Sequence, residues 1–539
     1  MKIRYTVAAA MFSLLFPWKS AFAQLSFPTS AATSYETGTV DTATGITPCP
    51  VPAAKTCLTL NTPSSIAVGD FNNDGKPDLA VINQVPVKVG SEFKFYVSVL
   101  LGNGDGTLST TPILIDTAPP PASCPSNTNN LATCDRGVVV LAGDFDGVNG
   151  DDLLIVYFGN PTGNSATNGK VGLFLSNGDG TFAAPTYTTV GLGAVNAAIG
   201  QLTSSGHLDV VVVNREEDSF SVLKGNGLGG LSVALCDGVN AKCTTGVGKK
   251  PAAVAIGQFD ADGKADVAVT SLIDAEITLW KGGGDGSFTP FATPTMDVAL
   301  QSIQIIADDF NRDGKTDLAV LNQQTKTVSM FFGNGDGTFT EAKKALLLGK
   351  TPVGMAAADF NGDGTLDLAF VFFPGKLAGI FPGLGDGTFS TSVVQIKVPG
   401  TSTGNFAIAA APFDIADPGR PHLAFANGTI VVFENQTPFP TLVTVHVTSP
   451  NGGEIFTVGS TQTITWDTAL DPVDFPFGSA TVSFSIDGGA TFKTIKKAPN
   501  TGTFLWKVPK NVTTQGRIRV CSANYPGICD TSDADFTIQ

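Results

Sequence analysis

The sequence predicts an all-β chain, a seven-bladed β-propeller of four-stranded blades followed by a β-sandwich, and three observations lead there. An acidic nine-residue stretch recurs seven times between apolar runs, at intervals of roughly 50 to 75 residues, which marks a repeat architecture. A glycine-rich turn recurs out of phase with it, and from about residue 441 the repeats give way to alternating strands. Charged residues make up only 15% of the chain, against 61 glycines, a composition suited to β-structure with many tight turns.

At the N-terminus, Lys2 and Arg4 precede an apolar stretch from Val7 to Phe16 and then Ala21-Phe22-Ala23. This is the layout of an export signal over residues 1–23, cut before Gln24. The apolar run is far short of the roughly 20 residues that a membrane span needs. The expectation is an exported chain with no membrane insertion, secreted, held at the cell surface or periplasmic. The eight cysteines fall in sequence-local pairs: Cys49/Cys57, Cys124/Cys134, Cys236/Cys243 and Cys521/Cys529. Even count and close pairing predict four small disulfide loops made in an oxidising compartment. Zinc finds no C-x-x-C spacing or neighbouring His to support it. Formal charge is −15, and −18 once Lys2, Arg4 and Lys19 leave with the signal. An acidic surface repels phosphate backbones, which argues against nucleic acid as a partner.

D-F-N-N-D-G-K-P-D, residues 70–78, opens like an EF-hand loop. Asp70, Asn72 and Asp74 offer oxygens at positions 1, 3 and 5, Gly75 turns the chain, and Lys76 stands where a backbone carbonyl is used. Position 12, however, is Val81 inside an apolar run, and the closing carboxylate is Asp78 at position 9. The stretch is a nine-residue cage that opens into a strand. Two further complete copies supply Asp309, Asn311, Asp313, Lys315 and Asp317, and Asp359, Asn361, Asp363, Thr365 and Asp367. A fourth keeps Asp260, Asp262 and Asp266 and begins with Gln258, whose amide oxygen can still coordinate. The copy at 144–152 keeps Asp144, Asp146 and Asp152 but has Val148 at position 5, which leaves that cage incomplete. Q-L-T-S-S-G-H-L-D (201–209) and P-F-D-I-A-D-P-G-R (412–420) are worn and read as metal-free. All-oxygen sets suit a hard cation, and three to four structural calcium ions are expected.

Each cage lies between apolar runs, S-I-A-V-G and L-A-V-I-N in the first copy, and a third run, V-S-V-L-L, leads to G-N-G-D-G-T-L and a fourth, P-I-L-I-D. The unit is therefore four antiparallel strands, A to D, with the cage at the A–B turn and the glycine turn at C–D. Asp105 and its equivalents read as turn chemistry. The seventh unit stops after T-I-V-V-F (429–433) with no fourth strand, while Q-L-S-F-P-T-S-A-A-T-S-Y after the signal resembles the start of a D strand. Residues 24–40 are thus expected to close the last blade of a propeller over 24–438, since radial closure hides strand edges.

These repeats resemble the FG-GAP/VCBS repeats of integrin α-subunits and of many exported bacterial proteins, over about three quarters of the chain. The resemblance implies seven blades, with calcium in A–B loops matching D-x-[DN]-x-D-G-x-x-D. Residues 441–539, opening S-P-N-G-G-E and I-T-W, resemble the immunoglobulin-like or fibronectin III-like modules appended to such proteins, with Trp466 and Trp506 expected in the core.

Chemistry is sparse. The only histidines are His207, His422 and His446, and no nucleophile motif accompanies them. Sugar sites favour exposed aromatics, yet Trp280 sits in a C strand (I-T-L-W) where burial is expected. The expected function is an exported, calcium-binding propeller acting as a monomeric extracellular binding or adhesion protein, its ligand a protein or a glycan. A carbohydrate-binding lectin is the alternative, and a polysaccharide-acting enzyme a more distant one. Recognition is expected on the long, irregular D–A connections stapled by the first three cysteine pairs, away from the cages.

Overall fold

A computed structural model describes residues 33–35, 39–41, 57–59, 63–89, 92–117, 137–159, 167–236, 240–244, 246–373, 377–390, 393–398, 407–415, 421–427, 429–435, 444–469, 479–489, 491–499, 501–522 and 529–539. Residues 1–23, expected to be an export signal, and Cys49, Cys124 and Cys134 lie outside them. The chain divides into two compact units, the larger over Phe27–Phe360 and Leu366–Asn435 and the smaller containing Gln436–Gln539.

The larger unit is built from antiparallel sheets of four or five strands, seven among the described residues. In the first sheet strand A is Pro63–Gly69, B Asp78–Val89, C Glu92–Leu100 and D Ile113–Asp116. The predicted cage and glycine turn lie at A–B and C–D. The B strands Asp152–Tyr157, Asp209–Asn214, Asp266–Ser271, Asp317–Asn322 and Asp367–Phe372 are buried at every residue. That is why they read as continuous apolar runs and not as alternating ones. Both faces of each B strand are covered by a neighbouring sheet. Val97, Val99, Val140 and Ile155 fill the space between the first two sheets, and Val68, Leu79, Ala424 and Val432 the space between the seventh and the first. The A strands of consecutive sheets lie against one another, and the seventh, Ala407–Ala411, lies against Pro63–Gly69, so the ring is closed. Six A strands begin with a register shift, as at Pro63/Ser65 and Ser302/Gln304, a bulge that sequence reasoning did not foresee.

The outer strand of the seventh sheet is Thr33–Tyr35, paired antiparallel with Thr429–Phe433 through Thr33↔Val432 and Tyr35↔Ile430. The seventh loop is in a different register from the nine residues 412–420. His422 pairs with Ala411 as Asp78 pairs with Gly69, so His422, not Arg420, stands where the other sheets have the closing Asp.

The cysteines correct the expected picture of stapled, irregular loops. The Cys49/Cys57 bridge is not among the described disulfides, because Cys49 lies outside the described residues. Cys57 itself opens the strand Cys57–Thr59, which pairs antiparallel with Thr39–Asp41 through Asp41↔Cys57. The connection before the first sheet is therefore not wholly irregular: a short two-stranded sheet gives it backbone hydrogen bonds of its own. Cys236 and Cys243 do form a disulfide, and Lys242–Cys243 folds back as a fifth strand on the third sheet. Both cysteines are 3% exposed and pack with Phe220 and Trp280. The disulfide itself is thus part of a core, while Asn240 and Ala241 of the loop it closes are exposed. Cys521 is disulfide-bonded and stands opposite Cys529.

The smaller unit has a three-stranded sheet (Thr444–Ser449, Thr461–Ala469, Thr503–Lys507) and a six-stranded one around a single core. Trp466 and Trp506 lie in that core, each 2% exposed.

Candidate metal centre

The A–B loop curls because two of its residues are left-handed. At positions 4 and 6 these are Asn73 and Gly75 (φ 56° and 82°), Arg312 and Gly314 (63° and 82°), and Gly362 and Gly364 (72° and 78°). Glycine and, after it, asparagine meet this demand at least cost. The curl turns the side chains at positions 1, 3 and 5 inward over the loop's own amides. The Asp70 carboxylate accepts the N–H groups of Asp74 and Gly75 (3.0 and 2.9 Å), Asn72 Oδ1 accepts that of Asp74 (3.2 Å), and Asp74 Oδ1 that of Lys76 (3.0 Å). Asp309, Asn311 and Asp313 repeat every one of these bonds. In the sixth loop Asn361 Oδ1 accepts from Asp363 and Asp363 Oδ1 from Thr365.

Position 9 does something that the sequence did not reveal. Asp78 Oδ2 accepts the N–H of Phe71 (2.8 Å), and Oδ1 that of Gly102 at the end of strand C (2.7 Å). The same pair of bonds recurs at Asp152, Asp209, Asp266, Asp317 and Asp367, all fully buried. The third sheet keeps the bracket although its cage is gone, so this Asp first serves to bolt the A–B loop to the end of strand C. In the fifth sheet the far end of that bolt has to be glycine, since a Cβ on Gly333 would stand 2.2 Å from the carbonyl oxygen of Thr316; the second sheet places Ser176 there. Each carboxylate oxygen keeps a second lone pair, so the bracket and metal ligation are compatible. Burial pushes the carboxyls of Asp78 and Asp152 up to about 7, and those of Asp266 and Asp317 to about 6. A bound cation favours the charged form and acts against that shift.

The second loop is closer to a cage than its sequence indicated. Gly147 and Asn149 supply the left-handed positions (φ 82° and 59°), and oxygens of Asp144, Asp146 and Asp152 lie within 4.8 Å of one another. Val148 points outward, 55% exposed. Sequence reasoning missed Asp151. It is 5% exposed, its carboxylate accepts the Asp70 N–H (2.9 Å) and its own N–H donates to the Asp70 carbonyl (2.8 Å), linking the first two loops. Its only sequence signal was the doublet Asp151-Asp152. Three carboxylates converge in the second loop. Side-chain oxygens at positions 1, 3 and 5 of the first and fifth loops, and at 3 and 5 of the sixth, lie over the loop's own amides, hard donors that fit a divalent cation.

The other three loops differ. In the fourth, Gln258 is exposed and the ammonium of Lys281, from strand C, pairs with Asp260 and Asp262. In the third, hydroxyls replace acids: Thr203 Oγ1 donates to Asp209 (2.9 Å) and lies 2.8 Å from Ser205 Oγ. In the seventh, His422 is 2% exposed with its ring 6.3 Å from that of Phe413.

The glycine turns pack against these loops. Asp105 Oδ1 accepts both the N–H (3.0 Å) and the O–H (2.6 Å) of Thr107, which holds its carboxyl below the usual range; Asp179, Asp285, Asp336 and Asp386 do the same. They are turn formers. Gly180, Gly229 and Gly337 each donate to the position-2 carbonyl of the preceding sheet's loop, at Phe71, Phe145 and Phe259, and Gly106 donates to Phe413 across the ring closure. Phe71 and Phe182, Phe259 and Phe339, and Phe310 and Phe389 then meet edge to face.

Residues 62–100 match the FG-GAP repeat, and residues 258–320 and 309–370 match the FG-GAP-like repeat. No curated protein sequence matches the chain. Among solved structures, it is similar to an Agrocybe aegerita lectin described as recognising non-reducing terminal N-acetylglucosamine (18% identity, 70% of this chain and 87% of that one, TM-score 0.44). It is also similar to the periplasmic gluconolactonase of Pseudomonas aeruginosa (15%, 68% and 95%, 0.44) and to virginiamycin B lyase from Staphylococcus aureus (12%, 69% and 95%, 0.41). Likeness at this level brings neither ligand nor reaction with it. The chain carries FG-GAP repeats, and it folds them into a β-propeller.

Proposed function

We propose that this is an exported, calcium-stabilised β-propeller that acts as an extracellular binding or adhesion protein, with an immunoglobulin-like module at residues 441–539. The observation that carries the calcium half is the shared geometry of the first and fifth loops, in which an Asp at position 1, an Asn at 3 and an Asp at 5 turn inward over a left-handed backbone that the sixth loop repeats with its Asn at 3 and Asp at 5. The second loop, with three converging carboxylates, is a fourth candidate. The ions are read as structural, each fixing a loop whose acids otherwise repel. Rigid repeats presenting variable surface loops support the binding half. The purified mature protein, screened against a glycan array and against extracellular matrix proteins with calcium and with chelator, tests this reading. Binding that depends on calcium is the expected result; no binding in either format, or binding indifferent to chelator, counts against it.

A further inference from the structure

The fourth loop departs from the cages in three separate ways. First, its position 1 is Gln258, exposed, where the complete cages have a carboxylate. Second, its backbone is different. Position 4 is left-handed at Asn73, Gly147, Arg312 and Gly362, but not at Ala261. Asp260 instead forms an antiparallel bridge with Asp336 of the next glycine turn, as Thr203 of the third loop does with Asp285. In backbone the fourth loop therefore follows the worn third loop.

Third, a cation already sits there. Lys281 is the residue just before Gly282, the glycine that caps Asp266. Its counterparts beside the four cages are uncharged: Leu101, Leu175, Phe332 and Pro382. From strand C its ammonium reaches between two carboxylates, paired with Asp260 Oδ2 and 3.1 Å from Asp262 Oδ2. Asp260 is only 11% exposed in its side chain, so its charge needs a partner. Lys76 and Lys315 are no parallel, because they belong to their own loops and meet only the position-5 carboxylate, at 3.3 and 3.6 Å. The remaining acid of the fourth loop, Asp266, accepts the N–H groups of Phe259 and Gly282 just as the closing Asp of each cage does, so what sets this loop apart lies at Asp260 and Asp262.

We propose that Lys281 is the resident cation of the fourth loop: its ammonium occupies the place of a metal between Asp260 and Asp262, and this loop is held without calcium. An ammonium brings one positive charge and three donors to two carboxylates, and a loop supplied this way has neither the charge nor the open oxygens to recruit a divalent ion. The second half of the statement rests on the calcium reading of the other loops; the first rests on the ion pair alone.

Two experiments on the full mature chain separate them. Calcium per chain, counted by competition with a chromophoric chelator, is expected to be unchanged by Asp262→Asn and to fall by one with Asp313→Asn. A loss of one ion with Asp262→Asn overturns the proposal. The second experiment is a double-mutant cycle of Lys281→Met and Asp260→Asn followed by melting temperature in chelator. Each single change is expected to lower it by about 1–2 °C, with the double variant losing less than the sum. Additive losses overturn the proposal. A wild-type chain that takes up no calcium would defeat the calcium reading, and the cycle would then decide Lys281 by itself.

Discussion

Asp209 isolates, in a single residue, the part of the repeat that needs no metal. Its oxygens hold Leu202, Thr203 and Gly225 in a sheet whose loop has no other acid among positions 1 to 8. Removing a buried acceptor leaves its donors unsatisfied, at a cost of about 1–3 kcal/mol. Asp209→Ala is therefore expected to lower stability in denaturant titrations by that amount, equally with calcium and with chelator. Asp313→Ala, at an exposed cage position, is expected to lower stability with calcium present and to change little in chelator. The reverse pattern would mean that bracket and cage roles are wrongly divided. The carboxyls also predict a response to pH. Without a cation, Asp78 and Asp152 are held up at about 7, and Asp266 and Asp317 at about 6, all above their ordinary 3.8. A folded-state pKa raised above the unfolded one gives stability that is complete below about pH 4 and is lost as pH rises through 6 to 7. In chelator, melting temperature is expected to rise as pH is lowered from about 8 to about 5.5, and saturating calcium should flatten or reverse that slope. A chelated protein that loses stability over the same range contradicts the assignment.

At the scale of elements, the repeated loops and B strands were legible because each copy confirmed the others, and burial on both faces made the strands read as unbroken apolar runs. What was not legible depends on contacts between sheets. Asp151 has meaning only beside Asp70, and Lys281 only once strand C returns past the fourth loop. His422 escaped because the seventh loop is longer than nine residues, which only the pairing with Ala411 reveals. Cys57 escaped in the same way, since a three-residue strand shows its pairing only beside Thr39–Asp41. The buried Asn83, within its B strand, and Asn214 and Asn322, at the ends of theirs, likewise gain a reason only from the C-strand hydroxyls they donate to, Ser98, Ser221 and Ser329. The closing strand is testable at this scale. Deleting residues 24–35 removes Thr33–Tyr35 and uncovers the edge of Thr429–Phe433, where unpaired N–H and C=O groups invite another chain. The truncated protein is expected to aggregate on size-exclusion chromatography; a monomer of unchanged stability would show that the pairing contributes nothing.

For the whole molecule, the ring is closed at three levels: the A strand of the seventh sheet against that of the first, Thr33–Tyr35 on Thr429–Phe433, and the first glycine turn on Phe413. Candidate cages fall in two adjacent pairs around that ring, first with second and fifth with sixth, separated by loops that hold together by other means, so calcium is expected to stabilise particular sheets and not to create the fold. A ligand that binds only the folded state adds about 2.7 kcal/mol at a hundred times its dissociation constant. The most direct measurement is calorimetric titration of the mature, chelator-stripped protein with calcium, combined with its melting curve before and after. The account predicts three to four ions per chain, a higher melting temperature with calcium, and a chelated form that is still folded. No calcium uptake, with identical melting curves in calcium and in chelator, would contradict it.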